Sequence, residues 1–386
     1  MRIAHVITRM IVGGAQENTL LNCVDLIRHH GDDVLLITGP ALGPEGDLLT
    51  KGRAGELPVK LVPDLRRAIH PLRDWRASDQ LRKAIREFGP EVVHTHSAKG
   101  GLLGRRAAHS LGVPAIVHTV HGAPFHDYQP RWVREVFRRC ERHAAARCHA
   151  MISVADAMTD LMVDAGVASR EKFTTIYSGM DVEPFLRAAE HRDEVRRRFG
   201  IAADAIVFGK IARLFHLKGH DDLIAAAARV VESIPQAHFM LVGDGLLRQS
   251  LAEDIRRRGL ESHFTFTGLV PPSEVASMIG AMDALVHTSL REGLARALPQ
   301  ALIAGLPVVS FDIDGAREVT LQGVTGFLVP PRDIDDLVTA MTTLASDASL
   351  RHRMGGEGRR RFTEPFRHQT MTRRIRDLYD RVLTRA

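Results

Sequence analysis

The 386-residue chain has 52 lysines and arginines against 46 aspartates and glutamates, a net charge of +6. Its 45% hydrophobic and 25% charged residues are globular values that exclude wholesale disorder, and the length suits two domains. Three cysteines, Cys23, Cys140 and Cys148, with no CxxC, argue against a disulfide scaffold and for a reducing compartment.

The opening residues break their apolar run at Arg9, so they offer no signal-peptide core. Short β-branched runs then alternate with helical patterns. In the first half, strands are expected over 2–8, 33–38, 92–96, 115–121 and 150–154, with helices over 15–30 and 74–88. In the second half, strands are expected over 206–213, 238–243, 264–268, 284–289 and 307–312, with helices over 220–233, 246–259, 272–282 and 296–304. This alternation predicts parallel sheets covered on both faces, and two such sets predict two doubly wound α/β domains. The boundary falls within 177–198, which divides the chain into domains 1–183 and 184–364. Residues 365–386 read as a helix with apolar positions at Met371, Ile375, Leu378 and Val382, able to pack back on the first domain. The longest uncharged stretch, 297–311, is too short for a membrane span and contains Pro299 and Pro307. The chain therefore reads as cytoplasmic.

In an open parallel sheet, ligands collect at the carboxyl ends of the strands. The first strand of the second domain leads to Arg213 and Lys218, and the second to Gly243, Asp244 and Gly245. The loop 289–295, with Glu292, Gly293, Leu294 and Ala295, leads into a helix whose free N–H groups suit an anion. Two cations and such a loop favour a diphosphate. A carboxylate beside those amides would repel phosphate, so Glu292 is expected to face sugar hydroxyls, and Gln300 can serve a ribose diol. In the first domain, Gly13 and Gly14 precede a helix without forming a dinucleotide-binding GxGxxG. Later strands are expected to bring His94, His96, Lys99, His118 and His121 to one rim.

The segments VGGAQ, HTVHG, YSGMD, IARLFHLKG, LVGDG, FTGLV and SLREGLARALPQALIAGLPVV occur in this order. Together they resemble the retaining glycosyltransferases of family four over nearly the whole chain, most strongly from residue 206 to 329. The resemblance implies the GT-B architecture, two facing Rossmann-like domains. It implies transfer of a sugar from a UDP- or GDP-sugar to an acceptor hydroxyl with retention, in polysaccharide, lipopolysaccharide or glycolipid synthesis. Arg213 and Lys218 match the basic pair on the donor diphosphate. Glu292 matches the first acid of the Glu-x7-Glu motif, and Gly293 and Leu294 match its phosphate and sugar loop. His121 matches the histidine near the transferred sugar, Gly14 the loop closing over the donor, and Leu269 the position facing the base. Gln300 departs from the motif's second acid, which alters the expected ribose contact.

The resemblance further implies front-face displacement without a resident cofactor or metal, and closure of the domains about the 177–198 linker. Asp312 and Asp314 form a DxD, which reads as a loop near the donor more readily than as a metal site. The histidines at 94, 96, 118 and 121 lack a cysteine or carboxylate to complete a zinc set. The basic stretches 66–86 and 131–147, the second with interleaved Trp132, Val133, Val136 and Phe137, suit surface helices or contact with anionic lipid near a lipid-linked acceptor. Low aromatic content and an evenly shared charge argue against nucleic acid as a partner. The alternatives are an isomerase resembling the non-hydrolysing UDP-N-acetylglucosamine epimerase and a non-catalytic sugar-nucleotide-binding relative.

Overall fold

The computed structural model describes residues 1–42, 46–49 and 57–385; the final residue of the expected C-terminal helix, Ala386, lies outside them. The chain forms two units, Met1–Met180 with Pro365–Ala386, and Asp181–Glu364. The division at 183/184 read from the sequence falls instead inside the second unit, at the start of its short helix Glu183–Leu186.

The first unit holds a seven-stranded sheet of β1 (Arg2–Arg9), β2 (Asp33–Gly39), β3 (Val59–Leu61), β4 (Val92–His96), β5 (Ala115–Val120), β6 (Ala150–Ser153) and β7 (Phe173–Thr175). Its order is β3-β2-β1-β4-β5-β6-β7, and every pairing is parallel. The central strands β4 and β5 are buried along their whole length, as strands covered on both faces must be. One face packs Leu20 and Leu26 of helix Gly14–His30 and Met371, Ile375, Leu378, Tyr379 and Val382 of helix His368–Arg385 into a single core. The 3- and 4-residue spacing of those last five side chains makes one apolar stripe. Polar contacts fix its register: Asp25 accepts from His368 Nδ1 at 2.6 Å and from Thr372 Oγ1 at 3.1 Å.

The second unit holds β8 (Ile206–Ile211), β9 (Ala237–Val242), β10 (Phe264–Gly268), β11 (Ala284–His287), β12 (Val308–Phe311) and β13 (Gly326–Val329), ordered β10-β9-β8-β11-β12-β13 and all parallel. Stacked Phe208, Phe239 and Phe264 join Leu223, Ile224 and Val230 of helix His220–Ser233 and Leu337, Met341 and Leu344 of helix Ile334–Ser346 in its core. The strands expected to reach Arg213, His121 and Ser289 stop at Ile211, Val120 and His287. The residues beyond them leave the sheet and build the loops described next.

Candidate active site

In the second sheet the chain runs outward from β8 through β9 to β10, then returns to the other side of β8 as β11. Such a switch point is where an open parallel sheet takes its ligands, at the carboxyl ends of the strands. Arg213 and Lys218 lie on the loop after β8, and Glu292 on the loop after β11.

The two loops are fastened together. Leu290 donates its N–H to the Leu217 carbonyl at 2.9 Å. Lys210, wholly buried in β8, donates from Nζ to Thr288 Oγ1 at 2.8 Å, and that hydroxyl donates to the Gly219 carbonyl. Gly219 is left-handed at φ 62°, and a Cβ there would stand 1.8 Å from the Thr288 carbonyl oxygen, so only glycine fits. Lys218 is thus held between two anchored neighbours, and its ammonium contacts the Glu292 carboxylate directly. The Glu292 N–H donates to Asp314 Oδ2 at 2.6 Å.

The electrostatics follow from this packing. Burial pushes the Glu292 carboxyl up, but His287 and Lys218 beside it more than offset that and hold it well below the usual carboxylate range. Of the two, Lys218 makes the contact, while His287 Nε2 stands 3.6 Å away. Burial, and next the charge of Lys218, pull Lys210 down to about 7 against the opposing charges of Glu292 and Asp222. Burial also pushes Asp314 up, reinforced by the Glu292 charge.

The loop after β9 is tied to the loop after β8. Gly243, at φ 135°, donates to the Gly268 carbonyl at 3.1 Å, and a Cβ on it would lie 2.2 Å from the Ala212 carbonyl oxygen. Asp244 accepts from Leu214 through its backbone at 3.0 Å and from its neighbour Gly245 through Oδ1 at 2.8 Å. Arg213 lies with its guanidinium 4.9 Å from the centre of the Phe215 ring. Leu269 follows Gly268 and is exposed. Gly293 accepts from Gly315 N at 3.1 Å, and Leu294 and Ala295 lead to helix Ala297–Ile303, which has Pro299 in its first turn and a half-buried Gln300.

The first unit carries the remaining candidates. Gly13 caps helix Gly14–His30 in extended backbone. His121, just past β5, places Nε2 3.2 Å from His96 Nδ1. His94, His96 and His118 do not form a rim: all three are buried, because they lie within β4 and β5 rather than beyond them. His94 is hydrogen-bonded at Nδ1 to Tyr379 Oη at 2.5 Å and at Nε2 to Thr119 Oγ1 at 2.7 Å, and His118 Nδ1 pairs with Thr95 Oγ1 at 2.9 Å. Lys99 binds Asp74 at 2.7 Å.

Sequence reasoning pointed Glu292 at sugar hydroxyls and did not foresee that its carboxylate also meets a cation, Lys218. It missed His287, Lys210 and Thr288, whose only signal was position at or near the end of a buried strand. It also missed His5, which lies opposite His94 in the β1–β4 register. His5, His94 and His96 have ring nitrogens within 4.8 Å of one another, close enough to share an ion. The DxD carboxylates are otherwise engaged, Asp312 by the fork of Arg317 at 3.0 and 2.8 Å and Asp314 by the Glu292 amide.

Residues 12–184 match the family described as "Glycosyltransferase Family 4", and residues 191–361 match "Glycosyl transferases group 1". The chain belongs to the family 4 glycosyltransferases. It is 28% identical over 382 residues to the UDP-Gal:alpha-D-GlcNAc-diphosphoundecaprenol alpha-1,3-galactosyltransferase of Escherichia coli, covering 98% of this chain and 96% of that one. It is 27% identical to the alpha-D-kanosaminyltransferase of Streptomyces kanamyceticus, over 79% of this chain and 82% of that one. Among solved structures, Anabaena HepE in complex with UDP superposes with a TM-score of 0.83 at 22% identity, over 99% of this glycosyltransferase and 100% of HepE. The sucrose-phosphate synthase of Thermosynechococcus elongatus gives 0.84 at 19% identity over the whole of both chains. These likenesses show the GT-B fold, with its two Rossmann-like parallel-sheet domains. Among the described residues, no helix is long and apolar enough to cross a membrane.

Proposed function

We propose that this glycosyltransferase moves a hexosyl unit from a UDP-sugar to a hydroxyl of a lipid-linked saccharide, with retention at the anomeric carbon and without a resident metal. The observation that carries this reading is the Lys218–Glu292 contact at the β8/β11 switch point, with Arg213 on the same loop. A leaving diphosphate gathers negative charge in the transition state, and preorganised cations there stabilise it by a few kcal/mol each. Glu292 keeps the Lys218 ammonium oriented, and Lys218 screens the carboxylate from the phosphates. GDP-sugars are the alternative donors. HepE has been solved with UDP and with UDP-glucose, and the Escherichia coli relative is named for UDP-galactose and a diphosphoundecaprenol-linked acceptor.

In this reading the anionic leaving group accepts the acceptor's proton on the same face of the sugar, and His121 orients the sugar. Exposed apolar side chains support a lipid-linked acceptor. Trp75 and Leu72 on helix Pro71–Phe88, and Trp132 and Val136 on helix Arg131–Ala145, are exposed beside arginines, as in helices that rest at an anionic bilayer surface. Peripheral contact with the cytoplasmic leaflet belongs to the same reading.

The test is transfer from UDP-glucose, UDP-galactose, UDP-N-acetylglucosamine and GDP-mannose to polyprenyl-diphosphate-linked N-acetylglucosamine, with EDTA present and the product anomer read by NMR. Acceptor-dependent release of nucleoside diphosphate with an α-linked product is expected. Conversion of the donor alone into an epimer would establish the isomerase instead.

A further inference from the structure

The second unit carries a cavity of about 640 Å³ at the opposite end of its sheet from Lys218 and Glu292. It lies where Asp283 leads into β11 and Pro307 into β12, at the amino ends of those strands. Part of its lining is apolar, with Ile279, Met282, Leu306 and Pro307. Arg192, Arg351 and Arg359 bring cations to the same lining, and among the described residues Asp283 is its one carboxylate.

Each guanidinium is tethered by groups of the protein. Arg192, which opens helix Arg192–Arg198, donates from Nη1 to the Met282 carbonyl at 3.1 Å and from Nη2 to Asp283 Oδ1 at 2.7 Å. Arg351 donates from Nη1 to the Leu344 and Ala345 carbonyls, at 2.5 and 2.9 Å, near the end of helix Ile334–Ser346. Arg359 donates from Nε to the Ile303 carbonyl at 3.0 Å and from Nη2 to the Ala304 carbonyl at 2.7 Å, at the end of helix Ala297–Ile303. Such carbonyls are the ones a helix leaves unpaired at its C-terminus. The tethers use only part of each five-donor fork. Among the described residues, the Nε and Nη2 edge of Arg351 and the Nη1 of Arg359 have no protein partner. Asp283 does not neutralise the set, because its Oδ2 already accepts from Arg196 Nη2 at 2.8 Å and from the Val207 N–H at 2.7 Å.

Helix Ala348–Phe362 supplies an independent sign in its three glycines. A Cβ on Gly355 would lie 1.8 Å from the Gly305 carbonyl oxygen, and one on Gly358 2.6 Å from Leu302 Cδ2, so packing demands both. A Cβ on Gly356 would meet no heavy atom within 4 Å beyond its own stretch of helix. Gly356 lines the cavity, and its backbone is helical, where glycine is a poor choice. Neither packing nor backbone asks for glycine at 356; the missing side chain leaves room in the cavity.

We infer that this cavity is a binding site for an organic phosphate, with the phosphate on the unused edges of Arg351 and Arg359 and the organic body against Ile279, Leu306 and Pro307. Arginine meets phosphate through paired N–H donors, and a guanidinium already tethered loses little freedom on binding. The volume is that of a small-molecule site, larger than a bare phosphate fills. This site owes nothing to the donor reading, because Arg213, Lys218 and Glu292 follow the carboxyl ends of β8 and β11.

The test is calorimetric titration of the full chain with phenyl phosphate and with inorganic phosphate at about 0.15 M salt, where exposed charges are screened beyond about 8 Å. Phenyl phosphate should bind, and more tightly than inorganic phosphate; equal affinities overturn an organic ligand. Gly356→Glu sets a carboxylate among the arginines and should weaken binding at least about tenfold, since like charges brought together are strongly unfavourable. Gly356→Ala and Arg213→Ala should bind as the wild type does. Undiminished binding in Gly356→Glu, or binding lost in Arg213→Ala, overturns the inference. If Gly356→Glu does not fold, a 13C spectrum of methyl-labelled methionines decides. The Met282 methyl, identified by its loss in Met282→Leu, should shift with phenyl phosphate, and an unmoved signal overturns the site. Capture by phosphatidylcholine vesicles containing phosphatidic acid without binding of phenyl phosphate, again lost in Gly356→Glu, assigns the phosphate to a lipid headgroup. Binding of neither probe overturns the inference.

Discussion

Lys218 rests its ammonium on the carboxylate of Glu292, although 74 residues separate them. The contact exists because β8 and β11 are neighbours in the sheet and their loops are tied at Leu290–Leu217 and at Thr288–Gly219. Glu292→Gln should keep the fold and lose transfer. The amide can still accept from Lys218, but the charge that orients the ammonium is gone. Removing one preorganised electrostatic group typically costs about 10²–10³ in kcat. Steady-state kinetics beside a thermal melt checks this: kcat should fall by about that factor with Tm nearly unchanged. A wild-type kcat would remove Glu292 from the reaction.

Gly219→Ala should damage both stability and nucleotide binding. The left-handed backbone alone costs an L-residue about 1–2 kcal/mol, and the added Cβ would press on the Thr288 carbonyl oxygen at 1.8 Å. Relief requires the loop carrying Lys218 to move. Urea unfolding should show a loss of at least that size, and calorimetry a weaker affinity for nucleoside diphosphate.

Lys210 gives stability a pH dependence of known sign. Its folded value, pulled down to about 7 chiefly by burial, lies below its ordinary value of 10.5. Between these pH values the unfolded chain binds the extra proton, so folding stability rises with pH across that window, by at most about 1.4 kcal/mol per pH unit. Below pH 7 the full penalty is present. Lys210→Met removes the titration and the bond to Thr288, so its stability should lack the rise. Urea midpoints of both proteins at pH 6, 8 and 9.5 test this; parallel profiles would contradict it.

Tyr379 seals the first unit from the C-terminal helix. Tyr379→Phe leaves His94 Nδ1 buried without its partner at 2.5 Å, a loss of about 1–3 kcal/mol. Deleting residues 365–386 would uncover the apolar face of the first unit, Leu20 and Leu26 among it, that the stripe from Met371 to Val382 covers, and should leave an insoluble chain. Thermal melts and expression of the truncated chain check the two expectations.

Trp75 and Trp132 have no packing role, being 72% and 73% exposed. Replacing both with alanine should leave Tm unchanged and abolish sedimentation with vesicles containing anionic lipid. Retained sedimentation would separate these helices from the bilayer.

The alternation of apolar strands and helices made the two parallel sheets legible, because strands covered on both faces must be continuously apolar. The stripe Met371, Ile375, Leu378 and Val382 likewise announced the last helix. Strands β3, β7 and β13 were not legible: they have three or four residues, and each lies at a sheet edge, where the hydrophobic demand is weak. The ordered motifs marked Arg213, Lys218 and Glu292, since loops that build a site carry residues the sheet does not need. Their mutual contact was hidden, because it depends on which strands become neighbours. His5 and Lys210 were hidden for the opposite reason: each sits inside a strand whose pattern otherwise reads as core.

The most direct test of the account is binding of UDP, GDP, ADP and CMP to the wild type and Arg213→Ala, read as a thermal shift. A ligand at 100 times its dissociation constant stabilises the fold by about 2.7 kcal/mol. The account predicts that UDP raises Tm in the wild type and that Arg213→Ala abolishes the shift. No shift with any nucleotide, or an equal shift in the variant, would contradict a diphosphate site at the β8/β11 switch point.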